Sequence, residues 1–520
     1  MEEKAISVKK KSKENHKQRA YLNSITSILD YAGNQITGFI VSPFIVNGLG
    51  NTMYGIYQML NQMTGYANMA DTRASQVLKW TVAQKREIAS KEELKNELTT
   101  ALVVTLITLP IILLIGAIIT WYAPIIAQAP KEYFNLVRIT CALMVSSLVI
   151  YQAFSLFESL LMGMNLGFKG MGIRTVIVAF GGLLKVLAIT QGYGLIGLGA
   201  TQLFIAFITV GVFYLIVKKN VDWFGFGKTN RAEILSYTKV SGWFMAFSLS
   251  NMALMNSDKL LLGYIVGPEF VTVFVLTLFS IKAVGGIVNA IVIGIIPGVS
   301  KFFGNGEFEK VKEARSLLIS LIWLFVTMFG VALLLYNESF LLLWVGDGKY
   351  AGTIENFLLL YIGIQSIFYF LDSTFINATL DMKTKVYLTA ASSLISVILA
   401  FILAERYSLI GMCLSILIGR SLLTIGYPII LKNKMNERAS FFTEENIRPI
   451  LVGLLFFSVA SYISEWIEIN NWIILISLGA LTVLISAALF WFLGLTSINR
   501  RKILETVSKI QFFKLKNVDK

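Results

Sequence analysis

Lys185, Lys282 and Arg420 lie inside apolar stretches of a 520-residue chain, and so do the carboxylates Asp30 and Asp372. A charge near the centre of a bilayer costs about 2.5–3.5 kcal/mol on insertion scales, so it is usually paired or faces a wet cavity. Two chemistries follow. Guanidinium and ammonium groups in a low-dielectric cavity bind concentrated negative charge well, and Arg73, at the mouth of one stretch, can attract the same anion. A carboxylate at that depth can carry a proton or hold Na⁺. Asp30 has that capacity, with Asn34 one turn further along the same helix face. The competing reading is structural. Asp30, Glu158 and Asp372 can be counter-ions to the bases, Lys185 can snorkel outward, and Arg73 can be an ordinary topological anchor. His16 is the single histidine, and Cys141 and Cys413 stand apart in apolar segments. Histidine-based catalysis, a His/Cys metal site and a disulfide framework are therefore not expected, and no cofactor or metal is implied.

The elements that must hold these residues are membrane helices. The chain is 56% hydrophobic and only 15% charged, with mean hydropathy +0.69, against about a quarter charged in soluble domains. Glu97 and Lys131 bracket 33 uncharged residues, Lys185 and Lys218 bracket 32, and Arg315 and Glu338 bracket 22. About 20 apolar residues span a bilayer as a helix, so an all-α polytopic membrane protein is expected. Spans fall at roughly 22–46, 53–72, 99–121, 138–161, 171–190, 194–217, 236–257, 269–299, 316–336, 356–379, 386–404, 408–431, 449–464 and 472–494. The first 20 residues are polar and lysine-rich, so no cleavable signal is expected there.

The formal charge of +14 does not imply nucleic acid, because its distribution follows the membrane. With the N-terminus inside, inner segments hold 37 Lys and Arg, and the outer loops hold five. That asymmetry predicts both termini on the cytoplasmic side of the cell membrane, with the basic excess facing anionic lipid. The inner connection 73–98 reads as an amphipathic surface helix or loop. Trp121, Tyr122, Trp344, Trp466, Trp472 and Trp491 sit near span ends, as an interfacial belt would. GYGLIGLGA (192–200) reads as close helix packing, and Pro297 and Pro428 fall within spans, where proline kinks or breaks helices.

The chain also repeats itself. FIVNGLGNTMYGIY (44–57) matches LLGYIVGPEFVTVF (261–274), with Gly50 and Gly267 in register, and Asn34 meets Asn251 at the same offset. FESLLMGM (157–164) meets FINATLDM (375–382), and YGLIG (193–197) meets YSLIG (407–411). Each match joins span n to span n+6, which predicts two six-helix lobes of like orientation about an axis along the membrane normal, plus two extra C-terminal helices. The expected divisions are a basic cytoplasmic arm 1–21, a first lobe 22–217, a linker 218–235, a second lobe 236–431, extra helices within 432–494 and a basic tail 495–520. Asp258 and Lys259, adjacent at the outer end of the seventh span, read as an ion pair that closes an outer gate or fixes the helix end.

NGLGNTMYGIY (47–57), MADTRASQVLKW (69–80) and NSDKLLLGYIVGPEFVTVF (256–274) resemble the polysaccharide-export branch of the multidrug/oligosaccharidyl-lipid/polysaccharide flippase superfamily. TRASQVLKW is more polar than the small apolar run usual there. The resemblance implies a flippase for lipid-linked oligosaccharide, similar to O-antigen or capsule-repeat translocases and teichoic-acid exporters. Its load would be a polyprenyl-pyrophosphate-linked glycan turned to the outer leaflet by alternating access. Arg420, Lys282, Lys185 and Arg73 would then receive the pyrophosphate, Asp30, Asn34 and Asp372 would form an ion-coupling or polar patch, and the last two helices would groove the lipid tail. Implied partners are the lipid-linked glycan, membrane lipids, and a polysaccharide polymerase or glycosyltransferases. Rivals are a multidrug cation antiporter of the same superfamily, a peptidoglycan-precursor flippase, and a membrane glycan polymerase or ligase. The enzyme reading lacks a long outer loop and clustered catalytic groups; fourteen spans and mid-depth bases tilt away from cationic drugs.

Overall fold

The computed structural model describes residues 2–505 apart from 69–70, 72, 87, 379–382 and 436–443; certain helix side chains, chiefly within 2–28, 240–256 and 294–304, also stand outside the description. Among the described residues the chain is helical throughout and contains no strand. The helices are α1 (Glu2–Ala67), α2 (Ala74–Lys85), α3 (Lys91–Ile126), α4 (Phe134–Gly163), α5 (Gly167–Thr190), α6 (Gly194–Asn220) and α7 (Arg231–Ile265). They continue as α8 (Pro268–Gly304), α9 (Phe308–Val345), α10 (Thr353–Ala378), α11 (Lys383–Lys434), α12 (Glu444–Ser464) and α13 (Trp472–Leu493). Among the described residues, ten helical stretches are long and apolar enough to cross a membrane. Each expected span falls on helix over most of its length, with α1 and α11 each carrying two; 53–72 runs past the end of α1 at Ala67. α1 breaks at Gly50 and α11 at Ser408.

Those breaks fall on the repeat. Gly50 (φ 73°) and its counterpart Gly267 (φ 138°) both have positive φ, and so do Gly194 (φ 52°) and its counterpart Ser408 (φ 48°). Glycine enters this region without a Cβ penalty, which is why the first three positions suit the turn. Serine does not, and Ser408 holds φ 48°, ψ −126° as a strained exception. The third matched pair extends to 379–382, outside the described residues, and the side chain of Asn251 also lies outside them. Proline does not set these breaks: α11 continues helically across Pro428, and α8 across Pro297.

The chain divides into two compact units, Met1–Glu269 and Phe270–Lys520. α7 packs on α1, α2 and α3, so the first unit takes in a helix that the repeat counts as the start of the second lobe. In the first unit, Leu78 and Val82 of α2 join Leu98, Leu160, Phe213 and Trp223 in one buried cluster. Polar caps start two of the long helices, α3 and α7. Ser90 and Asn230 each accept from the backbone N–H of the glutamate three residues on, Glu93 and Glu233, which return the bond. Within the stretch read as a surface helix or loop, α2 instead buries Ala74, Ser75, Val77, Leu78 and Val82, and Lys85 at its end bonds Glu97 of α3 at 2.7 Å. Glu97 thereby raises the Lys85 pKa.

Helices in lipid gain no hydrophobic drive from one another, so close contact depends on small residues. A Cβ at Gly182 would meet Thr37 at 2.5 Å, and one at Gly48 would meet Ile189 at 2.1 Å, which keeps α5 tight on α1. Gly197 and Gly199 of the glycine-rich run are packed against Ala188 and Leu143, as expected. In the second unit α9 packs on α10, α12 and α13. Trp121, Tyr122 and Trp466 are exposed as a belt requires, but Trp344 is 7% exposed and packs on Phe279 and Phe340 instead. The rings are close enough to exchange lipid for aromatic contact.

Candidate functional site

The first unit holds a half-open cavity of about 450 Å³ between both arms of α1, α5 and the start of α6. The first arm of α1 supplies Asn34, Thr37 and Ser42, and the second supplies Tyr54, Tyr57, Gln58 and Asn61. These stripes recur at three- and four-residue spacing, which puts them on one helix face. Gly38, Gly181 and Gly182 also line it. Lys185 of α5 and Gln202 of α6 complete the polar lining, and among the described residues no carboxylate is part of it.

Local hydrogen bonds fix this lining. Asn34 Nδ2 donates to the Asp30 carbonyl at 2.7 Å, Ser42 Oγ to Gly38 O at 2.7 Å, and Asn61 Nδ2 to Tyr57 O at 2.9 Å. Each spends a donor on the preceding turn, leaving the amide oxygens of Asn34 and Asn61 for the cavity. Gln58 and Ser42 hydrogen-bond the Tyr54 side chain. Lys185 is half-buried and, among the described residues, makes no ion pair. Amides, hydroxyls and tyrosine rings around one ammonium suit a ligand that combines hydroxyl-rich and anionic parts.

Of the residues singled out by sequence, this cavity unites Lys185 and Asn34 alone. Asp30 is turned to α5, where Thr175 Oγ1 donates to it at 3.2 Å and Arg174 Nε lies 3.9 Å away. Arg174 also donates to Glu158 of α4 at 2.9 Å, so one guanidinium sits between two carboxylates. Asp372 is 4% exposed and takes two bonds from Arg315 of α9, at 2.7 and 3.0 Å. Arg420 is 5% exposed on α11, and its guanidinium donates to Ser366 Oγ of α10 at 3.3 Å. Lys282 is exposed on α8. Arg73 lines a separate pocket at the start of α2.

Asp258 and Lys259 are not at a helix end. α7 continues to Ile265, six residues beyond Lys259, or about 9 Å at 1.5 Å per residue. Helical neighbours i and i+1 also point to different faces. Sequence reasoning did not single out Tyr54, Tyr57, Gln58, Asn61 and Gln202 as a lining, or Arg174 and Arg315 as counter-ions. The i, i+3/i+4 recurrence of amides and hydroxyls within the first two spans was the available signal for the lining. Nothing comparable marks the counter-ions, which come from helices distant in sequence.

The sequence profile of the family described as "polysaccharide biosynthesis protein" matches residues 22–303, over half of the chain. The chain belongs to that family. No curated protein sequence matches it. Its fold is similar to that of the lipid II flippase MurJ in an inward closed conformation, with TM-score 0.68 and 15% identity, over 91% of this chain and 99% of that one. An inward-facing multidrug resistance MATE family transporter is similar at TM-score 0.58 and 14% identity, over 78% of this chain and 96% of that one. The Vibrio cholerae MATE transporter VcmN is similar at TM-score 0.57 and 13% identity, over 83% of this chain and 100% of that one. At these identities the likeness carries the fold: this family member is a multi-pass helical membrane protein with the architecture of flippases and transporters.

Proposed function

We propose that the chain is a flippase that moves a polyprenyl-pyrophosphate-linked oligosaccharide from the cytoplasmic to the outer leaflet for cell-surface polysaccharide synthesis. The observation that carries this reading is the cavity itself, with the cation Lys185 set among amides, hydroxyls and tyrosine rings. Tyrosine faces and amide groups suit sugar rings and their hydroxyls, and the ammonium suits phosphate. A cationic drug would be better matched by an acid, and among the described residues this lining offers amides, hydroxyls and an ammonium instead. A peptidoglycan precursor shares the same anionic and hydroxyl chemistry; membership of a polysaccharide biosynthesis family favours the oligosaccharide.

In this mechanism the hydrophilic head occupies protein while the isoprenoid tail stays in lipid. A groove of about 360 Å³ between α9, α12 and α13, lined by Val331, Leu335, Leu455, Val459 and Ile463, suits such a tail. Lys282 and Arg420 are proposed as further bases for the head, and alternating access would carry it across. Both termini are assigned to the cytoplasm on the basic asymmetry of the loops, with glycosyltransferases or a polymerase as plausible co-workers of an exported O-antigen, capsule or teichoic-acid precursor. The test is flipping of a fluorescent lipid-linked oligosaccharide in proteoliposomes. Lys185→Glu should abolish transport while Lys185→Arg retains it, with both variants folded. Wild-type flipping by Lys185→Glu would overturn the assignment.

A further inference from the structure

At the end of the second arm of α1 the chain leaves the helix and turns into α2. A separate pocket of about 260 Å³ opens here against α4. Asn61 lines the first cavity and Asn68 this one, seven residues on, or about 10 Å along the helix. The pocket stands at the N-terminus of α2, a helix of 12 residues with no side-chain cap. Gln76 and Val77 already donate their N–H groups to the Arg73 carbonyl at 2.9 and 3.3 Å, so the first turn leaves those of Ala74 and Ser75, with the partial positive charge of a helix N-terminus.

Four side chains reinforce that field. Lys79 is half-buried in the lining and, among the described residues, makes no ion pair. Ser75 is 7% exposed and Ser159 6% exposed; both line the pocket, and neither makes a hydrogen bond to another described residue. The two residues are buried, and both line this one space. Arg73 is the N-cap of α2 and holds left-handed backbone (φ 55°), a conformation that costs a non-glycine residue free energy. The Asp71 carboxylate fixes it, accepting the Arg73 N–H at 2.9 Å and lying 3.7 Å from Nε.

Two acids also line the pocket, and both are engaged. Asp71 is held by Arg73, and Glu158 accepts from Arg174 at 2.9 Å. The ammonium of Lys79, the two free hydroxyls and the helix N-terminus are left to a ligand. We infer that this pocket is a second anion site, built to take a phosphate or diphosphate group at the mouth of the first unit, ahead of the Lys185 cavity. The inference stands on the pocket alone and does not require that the glycan be flipped.

The test uses full-length protein in phosphatidylcholine nanodiscs, with inorganic pyrophosphate as the probe and phosphorus NMR line broadening as the readout. Wild type should bind, Lys79→Gln should bind at least about ten-fold more weakly, and Ser159→Ala about three-fold more weakly. Lys79→Arg should retain binding, which separates loss of charge from loss of fold. Displacement by polyprenyl diphosphate in the disc would assign the anion to a lipid headgroup; displacement only by a soluble nucleoside diphosphate would assign it to a soluble donor. Either result upholds the site. No broadening with wild type, or equal binding by wild type, Lys79→Gln and Ser159→Ala, would overturn it. Flipping lost in Lys185→Glu with pyrophosphate binding intact separates failure of this site from failure of the transport reading.

Discussion

Asp372 is the place where a structural and a functional reading make opposite predictions. It takes two bonds from Arg315, at 2.7 and 3.0 Å, and the side chains are 5% and 17% exposed. Replacing it by asparagine keeps the shape and removes the charge, leaving a guanidinium without its carboxylate. Removing one partner of a buried pair costs about 3–5 kcal/mol. The lower end applies, because Arg315 lies two turns into α9 and can swing toward the helix end. For a unit of this size roughly 3 kcal/mol lowers the midpoint by about 6–12 °C. Replacing both residues, Asp372→Leu with Arg315→Met, removes the desolvation of both ions and should return stability to within about 1 kcal/mol of wild type. Thermal unfolding in nanodiscs reads both variants, alongside flipping in proteoliposomes. If Asp372→Asn unfolds at the wild-type midpoint yet transports nothing, the carboxylate serves ion coupling and the structural argument is refuted.

Ser408→Gly should stabilise the protein by about 0.5–2 kcal/mol, since relief of strained backbone exceeds the entropy glycine adds to the unfolded chain; an unchanged or lower unfolding midpoint would count against a strained break. Gly55→Ala should be strongly destabilising, because its Cβ would lie 1.7 Å from the Pro268 carbonyl oxygen, which is backbone and cannot move aside. Gly211→Ala meets nothing within 4 Å and should instead gain about 0.5–1 kcal/mol from helix propensity, a contrast that paired thermal melts would check. The Lys85–Glu97 bond should tie α2 to α3 at neutral pH, its contribution reduced to a few tenths of a kcal/mol by solvent screening because Lys85 is 45% exposed. Glu97 raises the folded-state pKa of Lys85 above 10.5, so that contribution is fully present below pH 10.5 and lost as pH rises through the raised value. Proteolysis at residues 86–90 should therefore stay constant from neutral pH to that limit and increase beyond it, whereas Glu97→Gln should increase it already at neutral pH.

The helical class, the span positions and the two pairs of equivalent turns were legible in the sequence because each is encoded locally. Twenty apolar residues require a helix in lipid whatever surrounds them, and Gly50, Gly194 and Gly267 mark positions where backbone must take positive φ. Lys185 and Asn34 were also legible, as polar groups inside spans. Helix ends were less so: the pair Asp258–Lys259 marks a change in hydropathy, while α7 runs on to Ile265.

What the sequence determined by itself is that charged groups inside the spans must be compensated. Which group compensates which was decided only by tertiary structure. Asp30 meets Arg174 and Thr175 across 145 positions of sequence or so, and Arg315 meets Asp372 across 57. Hydropathy sets the depth of each residue but not the rotation of its helix, and rotation selects the neighbour. The same rotation brings the stripes of α1 to face Lys185 and opens the hydroxyls of Ser75 and Ser159 onto one pocket. Both sites exist because glycine-lined contacts fix how α1 and α5 meet and because α2 folds back against α4.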